Sequence, residues 1–516
     1  MSKALSLAER IVAIAGSDAN ADAIEFQGQW HSWNKTAKAV SKLGDLLRQY
    51  GLGEGTKIGV LFRNRPQHVH AIAAVLGNGC CIVTLNARQP WEKTRSELTE
   101  LKLPVVLADP QDWADEELKK SVIDSGALAV ELDPERGLHA LSHFQPEKGP
   151  FREKGYSVAI EMLTSGTTGT PKRVIFGAEN LKESILGAAR LIPGSPSAKK
   201  QQEPELLLKR GVVVCWAPLL HVSGMWSVVE HLLHGRRICL LEQFEPFEWS
   251  RVVSAYKPRM AMLSPSVIRM ILDAEISKEH LASLRGVTSG TAPLSPALER
   301  EFEKVYDIPV LPAYGATEFP GRGAGWTLDD HEHYGESKIG SVGRARPGVK
   351  LRVVDPESGQ PVAVGEVGLI ELFARTAATL DGEEPKWLRT TDLAFLDEDD
   401  FVWIKGRADA AIIRGGFKVL PEDVVAVLEQ HPDVLEASVV GLPDSRLGQV
   451  PAAAIVPRCG ANPLSVEDLM AHARKYLTAY QVPTVFKLVD EMPRTHTLKV
   501  SMPAVKALFA TNKDIG

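Results

Sequence analysis

T-S-G-T-T-G-T-P-K, Thr164 to Lys172, is the stretch of sequence that decides the fold. It stands between the apolar runs V-A-I-E-M-L (158–163) and V-I-F (174–176), which both read as strands. Glycines let backbone N–H groups converge on an anion, hydroxyls donate hydrogen bonds and a lysine supplies positive charge, so the composition predicts a phosphate-binding loop. The candidate phosphate-binding residues are Thr164, Ser165, Gly166, Thr167, Thr168, Gly169 and Lys172. The spacing of Lys172 excludes a Walker A loop, and a polar surface hairpin is the alternative interpretation.

Strand-like and helix-like segments alternate around this loop. K-I-G-V-L-F (57–62) and C-C-I-V-T-L (80–85) read as buried strands, with a helical pattern over 68–76 between them. This alternation is typical of an α/β fold in which helices cover parallel sheets. Between 349 and 373 the strands follow one another through tight turns, which predicts a small antiparallel barrel or sheet. After residue 409, strands mix with two helices, which indicates a compact α+β domain of about 100 residues.

Composition and charge narrow the class of protein. The chain has 516 residues, 44% of them apolar and 24% charged, which is typical of a globular protein of about two to four domains. A net charge of −6 argues against binding of nucleic acid or an anionic membrane through the overall charge of the protein. Five cysteines without a C-x-x-C pair favour a reducing compartment. Charges interrupt the N-terminal segment, and the longest apolar run (71–85) is too short to cross a bilayer, so we expect a cytoplasmic protein.

Six further motifs follow the loop and carry a family resemblance. They are P-L-L-H-V-S-G (218–224), S-G-T-A-P-L (289–294), Y-G-A-T-E (314–318), R-T-T-D (389–392), G-R-A-D (406–409) and P-R-T-H-T-L-K (493–499). In this order and with the loop, they resemble the signature of the adenylate-forming superfamily of acyl- and aryl-CoA synthetases, peptide-synthetase adenylation domains and luciferases. The resemblance spans nearly the whole chain and is closest in type to the acyl-CoA synthetases.

The resemblance implies a nucleotide site. Tyr314 would pack on adenine, Thr317 would bond the α-phosphate and Glu318 would hold magnesium, roles that suit an aromatic face, a hydroxyl and a hard carboxylate oxygen. The ribose would be held by Asp392 and Arg407, and the remaining nucleotide contacts would come from Thr291, Ala292, Pro293 and Gly315. From the residues alone, a helix N-cap at 317–318, a turn aspartate at 392 and a surface ion pair at Arg407 remain open.

The resemblance also implies catalytic, substrate and acceptor residues. Lys499 would enter the active site and bridge the substrate carboxylate and the α-phosphate, where a cation lowers charge repulsion. His221 would gate the acyl pocket, and a core histidine is its alternative interpretation. The expected pocket residues are His221, Met225, Trp226, Ser289, Gly290 and Gly315. Gly415 and Gly416 resemble the turn that lines a pantetheine tunnel, and Asp409 would be the hinge between domains.

These observations predict a fold and a reaction. We expect an N-terminal adenylating domain over 1–405, made of two α/β subdomains and a small β-barrel, a hinge at 406–409, and a mobile α+β domain over 410–516. The reaction would join a carboxylic acid to MgATP, release pyrophosphate and transfer the acyl group to coenzyme A. An amide synthetase that uses an amine acceptor is the second hypothesis, and a non-catalytic nucleotide- or acyl-binding protein is the third. The sequence names neither the acid nor the oligomeric state.

Four positions depart from the family pattern. Arg173 and Thr391 stand where glycines are usual, Gln481 replaces a frequent lysine, and Leu498 replaces the glycine before Lys499. If a lost glycine had needed a positive φ, a side chain there would cost about 1 kcal/mol or more. No departure removes a catalytic group, so we expect adenylation to survive and the identity of the acceptor to be the open question.

Overall fold

The computed structural model of the protein describes residues 4–163, 173–191, 206–316, 319, 323–374, 387–458, 464–495 and 498–510. Its α-helices in these residues are α1 (Leu7–Ser17), α2 (Trp33–Gln49), α3 (Pro66–Gly77), α4 (Trp91–Leu101), α5 (Pro110–Trp113), α6 (Glu116–Asp124), α7 (Ala178–Leu191), α8 (Val222–His234), α9 (Pro246–Tyr256), α10 (Pro265–Asp273), α11 (Lys278–Leu281), α12 (Pro296–Tyr306), α13 (Leu328–Tyr334), α14 (Pro421–Leu428), α15 (Val466–Tyr476) and α16 (Met502–Leu508).

The strands follow the chain in the same way. They are β1 (Asp22–Phe26), β2 (Gln29–Ser32), β3 (Lys57–Phe62), β4 (Cys81–Asn86), β5 (Val105–Ala108), β6 (Leu128–Asp133), β7 (Gly137–Ala140), β8 (Val158–Leu163), β9 (Arg173–Gly177), β10 (Lys209–Cys215), β11 (Arg236–Leu240), β12 (Met260–Leu263), β13 (Gly286–Ser289), β14 (Val310–Tyr314), β15 (Ala324–Gly325), β16 (Arg344–Ala345), β17 (Val349–Val354), β18 (Gly368–Ala374), β19 (Leu388–Leu396), β20 (Val402–Arg407), β21 (Ile412–Arg414), β22 (Phe417–Val419), β23 (Val434–Asp444), β24 (Gly448–Pro457) and β25 (Val485–Leu488).

The first sheet has seven strands in the order β7-β6-β5-β3-β4-β8-β9. Its inner strands are parallel, and β7 and β9 pair antiparallel at the two edges. The near-continuous apolar runs of β3 and β4 are buried, as expected for parallel strands covered by helices. At one edge, Leu163 of β8 pairs with Arg173 of β9. These two residues flank the predicted phosphate loop in the sequence.

Two further sheets form the second α/β region of the N-terminal domain. One has the order β10-β11-β1-β2, and the other runs from β12 to β16. Strands β12, β13 and β14 are parallel, whereas β15 and β16 pair antiparallel. Helices α9, α10 and α12 supply the apolar cluster that packs beneath these strands. As a result, β13 and β14 end side by side, at Ser289 and Tyr314.

An antiparallel meander, β17-β18-β19-β20, occupies the place predicted for the small barrel. Beyond it, the smaller C-terminal α+β domain has the sheet β22-β21-β24-β23, with β25 added parallel to β24. Helices α14 and α15 pack on this sheet. Ser465 accepts a hydrogen bond from the backbone N–H of Asp468 and caps the first turn of α15.

The division of the chain predicted near residue 405 lies within β20, and the predicted hinge at 406–409 covers the end of this strand and the residues after it. Strand β20 ends at Arg407, a 3₁₀ turn covers Ala408–Ala410, and β21 begins at Ile412. Within the residues that the structure describes, no helix combines the length and the apolar character needed to cross a membrane.

Candidate active site

The predicted phosphate loop itself, Thr164 to Lys172, lies outside the described residues, as do Thr317 and Glu318. Its first described neighbour is Arg173, one of the departures from the family pattern. The Arg173 guanidinium lies 2.6 Å from a carboxylate oxygen of Glu97 and 3.8 Å from one of Glu161. The extra positive charge beside the loop is therefore neutralised by residues of the same sheet and helix layer.

The carboxyl ends of β13 and β14 form the floor of the candidate nucleotide site. Parallel strands end in a crevice where ligands bind in α/β folds. A Cβ at Gly290 would lie 2.9 Å from the Ala313 carbonyl oxygen, so only glycine permits the close approach of these two strand ends. Thr291 adopts φ of +73°, a left-handed conformation that is rare for a threonine and turns the chain toward Ala292 and Pro293. The hydroxyl of Ser289 is buried without a hydrogen-bond partner among the described residues.

Tyr314 and Asp392, predicted to hold adenine and ribose, are in direct contact. The Tyr314 hydroxyl donates a hydrogen bond of 2.5 Å to Oδ2 of Asp392. Burial, together with the Asp392 charge, raises the pKa of the tyrosine well above its usual value, so the phenol remains a donor. The contact joins the end of β14 to β19.

Arg407 and Asp409 complete this group. Arg407 faces Asp392 across the β19–β20 ladder, and its guanidinium donates two hydrogen bonds of 2.8 and 2.7 Å to the carboxylate of Asp409. This bidentate pair raises the pKa of Arg407 and lowers that of Asp409. Arg407, predicted to contact the ribose, and Asp409, predicted to be the hinge, are therefore bonded to each other. The alternative interpretation, a surface ion pair, predicts the same contact.

The predicted acyl-pocket residues fall into two groups. His221 immediately precedes α8, and a Cβ at Gly224 would lie 2.3 Å from the Pro218 carbonyl oxygen, so the P-L-L-H-V-S-G motif is a tight entry into this helix. Met225 and Trp226 line an apolar cavity of about 10 Å³ against β8 and β9. Ser289, Gly290 and Gly315 instead lie at the ends of β13 and β14.

Lys499 lies on a turn of the C-terminal domain that contacts the N-terminal domain. The turn is closed by the bridge between Arg494 and Val500 and by a 2.7 Å hydrogen bond from the Thr495 N–H to the Lys499 carbonyl. Ser266 at the start of α10 donates a 2.5 Å hydrogen bond to the carbonyl of Leu498. Lys499 keeps contact with solvent, yet the protein atoms around its ammonium lower its pKa.

The local backbone conformation explains why residues 415 and 416 are glycines. Both residues have positive φ (+58° and +88°) in the two-residue connection between β21 and β22, which requires this conformation. Beside the turn, the rings of Phe417 and Tyr480 stack at 4.7 Å. Gln481, another departure, uses its side-chain oxygen to accept hydrogen bonds from the N–H and hydroxyl of Thr478.

Sequence reasoning missed two positions near these residues. A Cβ at Gly406 would lie 2.4 Å from a carboxylate oxygen of Glu422, which is buried without a partner among the described residues and has a raised pKa because of that burial. Ser266 was missed as well, because its contact with Leu498 joins residues 232 positions apart in the sequence. The only sequence signals were an acidic residue in the first turn of α14 and a Ser-Pro-Ser start of α10, both ordinary for helix N-termini.

The described residues suit a nucleotide, since an aromatic ring, a carboxylate and a basic side chain converge at the ends of β14, β19 and β20. For magnesium, no group of three or more His, Cys, Asp or Glu side chains in the described part of the chain is arranged to hold a metal ion. Magnesium bound to a nucleotide needs only one or two protein carboxylates besides phosphate oxygens and water, so this finding agrees with a single ligand such as Glu318.

Comparison with known proteins agrees with this arrangement. The model of the AMP-binding enzyme family matches residues 13–381, and the model of the AMP-binding enzyme C-terminal domain matches residues 424–499. A long-chain-fatty-acid–CoA ligase of Bacillus subtilis (strain 168) is 26% identical, covering 93% of this chain and 90% of its own. A sulfoacetate–CoA ligase of Cupriavidus necator is 29% identical, covering 89% of each chain.

Solved structures show the same fold. ATP-bound MatB from Rhodopseudomonas palustris has a TM-score of 0.79 at 22% identity, covering 99% of each chain. The amide bond synthetase McbA from Marinactinospora thermotolerans has a TM-score of 0.79 at 23% identity, covering 98% of this chain and 100% of its own. Since the first family model alone matches well over half of the residues, the predicted resemblance is confirmed: the chain belongs to the AMP-binding enzyme family, whose members form adenylates from ATP.

Proposed function

We propose that the protein uses ATP to convert a carboxylic acid to its acyl-adenylate, with release of pyrophosphate, and then transfers the acyl group to the thiol of coenzyme A. One observation carries this proposal. Leu498, next to Lys499, packs on the same apolar cluster as Leu294, the last residue of the S-G-T-A-P-L motif. The candidate catalytic lysine and the candidate adenine-side segment are therefore held against one region of the N-terminal domain.

The first step needs a cation and alignment, and it needs no general base. The substrate carboxylate is already an anion at neutral pH, so its oxygen attacks the α-phosphorus directly and the bond to pyrophosphate breaks. Repulsion between the two anions is the main barrier, and Lys499 is the group we assign to lower it. The loop Thr164–Lys172, with Thr317 and magnesium-binding Glu318, would hold the triphosphate. In the second step the thiolate attacks the acyl carbonyl and AMP leaves.

Coenzyme A is the acceptor that we propose, for two reasons. Relatives that share about nine tenths of their length with this chain are named as CoA ligases. In addition, the glycine turn at 415–416 presents no side chains, which would let a thin pantetheine arm pass. An amine is the second candidate, because Gln481 and Leu498 depart from the usual pattern in the C-terminal domain and McbA, an amide bond synthetase, shares the fold.

The decisive experiment offers acceptors separately. A panel of carboxylic acids is first screened with MgATP for pyrophosphate release, and one good acid is then supplied with coenzyme A or with a set of amines. A saturable thioester product supports the proposal. An amide product with no stimulation by coenzyme A would reject the acceptor and favour the amide synthetase, and no pyrophosphate release with any acid would favour a non-catalytic binding protein.

Lys499→Ala tests the catalytic assignment in the same assay. Loss of a charge-assisted transition-state contact should slow adenylation by about 100-fold or more. Lys506→Ala is the matched control, because Lys506 is exposed on α16 of the same domain and should leave the rate unchanged. Equal rates for Lys499→Ala and the control would remove the lysine from the mechanism.

We also place the reaction in the cytoplasm. The described cysteines, Cys80, Cys81, Cys215 and Cys239, are free thiols and buried. Burial raises the pKa of the adjacent Cys80 and Cys81 thiols to about 12, which keeps them protonated and suits a reducing compartment.

A further inference from the structure

Leu498 occupies a backbone position that favours glycine. The N–H of Leu498 bonds to the carbonyl of Thr495 at 2.9 Å, and the following residue returns to the ladder as the N–H of Thr495 bonds to the Lys499 carbonyl. In this short hairpin connection the last turn residue takes the left-handed conformation, and Leu498 has φ of +61°. A leucine there costs about 1–2 kcal/mol relative to glycine, so a contact elsewhere must offset the strain.

That contact lies across the domain boundary. The Leu498 side chain packs on the apolar cluster of the N-terminal domain that includes Val267 and Ile268 of α10. The Leu498 carbonyl accepts the hydrogen bond from Ser266, whose hydroxyl in turn lies 2.9 Å from the Arg494 guanidinium. The other Arg494 nitrogen binds Glu436 of β23 at 2.7 Å and so ties the turn to the body of the C-terminal domain.

We infer that Leu498 is a positioning residue that anchors the Lys499 turn on the N-terminal domain and favours the adenylate-forming arrangement of the two domains. The strain at Leu498 is local to the turn and is the same whether or not the domains are in contact. The packing of Leu498 on this apolar cluster and the Ser266 hydrogen bond exist only when the two domains are in contact. Replacing the leucine by glycine therefore relaxes the turn and weakens the anchor, two effects of opposite sign.

Because the relaxed turn and the weakened anchor have opposite effects, they can be separated by experiment. The test rests on the proposed function of Lys499. Leu498→Gly should leave the melting temperature unchanged or raise it, and yet lower kcat for pyrophosphate release about 5-fold, the effect of losing a half-buried leucine contact. The KM values for ATP and acid should change little, because neither is bound by Leu498. Transfer from added acyl-adenylate to the acceptor should keep its rate or become faster, since the anchor opposes domain rotation.

Two companion variants separate positioning from a merely structural role. Leu498→Met retains a side chain of similar volume and should restore kcat, whereas Leu498→Ala keeps the strain, loses the contact and should lower both kcat and the melting temperature. Wild-type kcat for Leu498→Gly, an equal loss in both half-reactions, or failure of Leu498→Met to restore the rate would each overturn the inference. Absence of pyrophosphate release by the unaltered protein would instead reject the proposed function, which keeps the two failures distinct.

Discussion

Removal of one hydroxyl, in Tyr314→Phe, should raise the KM for ATP about tenfold. The substitution keeps the aromatic ring for adenine and deletes only the donor that holds Asp392. Hydrogen bonds to charged groups contribute about 1.5–3 kcal/mol, and we take the lower end because Asp392 is half-buried and water replaces part of the lost bond. About 1.4 kcal/mol corresponds to a factor of ten in affinity. With its second oxygen no longer held, the Asp392 carboxylate would lose the orientation needed to accept the ribose hydroxyls.

The assay is pyrophosphate release at saturating acid over a range of ATP concentrations, supported by direct titration of ATP binding. Tyr306→Phe is the matched control: it deletes a buried hydroxyl that donates to the Ile271 carbonyl, away from the proposed site, and should lower stability without changing the KM. Because the pKa of Tyr314 is raised, its phenol stays protonated at every working pH, so the effect should be equal at pH 6.5 and pH 9. An unchanged KM in a folded Tyr314→Phe variant would refute the proposed ribose role of Asp392.

Three other perturbations test different parts of the molecule. Asp409→Pro restricts φ at the predicted hinge and should let adenylate form while acyl transfer stalls; an equal loss of both steps, measured in single turnovers, would argue against a hinge there. Trp226→Ala enlarges the small apolar cavity between α8 and strands β8 and β9 and should improve kcat/KM for longer or bulkier apolar acids roughly tenfold; an unchanged acid panel would show that the acyl tail does not reach it. Burial lowers the pKa of His70 and His231 to about 3, so stability is fully present above pH 6.5 and should fall by about 1.4 kcal/mol per pH unit for each histidine between pH 6.5 and 3. Melting temperatures from pH 7.5 to 5 check this, and His231→Phe, which retains the stack on Trp33, should show the shallower decline.

What the sequence predicted well depends on local or periodic signals. The alternation of apolar segments predicted the parallel sheets, and the strands joined by tight turns between 349 and 373 predicted the antiparallel pairing of β17 and β18. The motif order predicted the family, the fold and the ATP-dependent ligase chemistry, and the family and the fold are confirmed. Leu498, which stands where a glycine is usual, has the positive φ at which strain was expected.

What the sequence could not predict depends on contacts between distant segments. The Tyr314–Asp392 bond joins residues 78 positions apart, and the direction of a side chain at the end of one sheet does not follow from the period of either strand. The same limit applied to Trp226: helical spacing placed it near the motif and gave no indication that it faces β8 and β9. The roles of the site residues and the domain boundaries at 405 and 409 stay predictions.

The departures from the family pattern lie in different parts of the fold, and two of them bear on the acceptor. Arg173 is neutralised by Glu97 within the first sheet and helix layer, so it adds no free charge to the phosphate loop. Gln481 is engaged by Thr478, and Thr391 contributes to lowering the pKa of Asp409 at the proposed hinge. Of the four departures, Leu498 lies at the contact with the N-terminal domain and Gln481 lies within the C-terminal domain, while the Tyr314–Asp392 contact is intact. In the proposed mechanism, activation of the acid uses the arrangement in which the Lys499 turn contacts the N-terminal domain, and transfer requires the C-terminal domain to rotate away from it. We therefore expect selection among acceptors to act on the second step, and variants at Leu498 and Gln481 to change the ratio of transfer to adenylation.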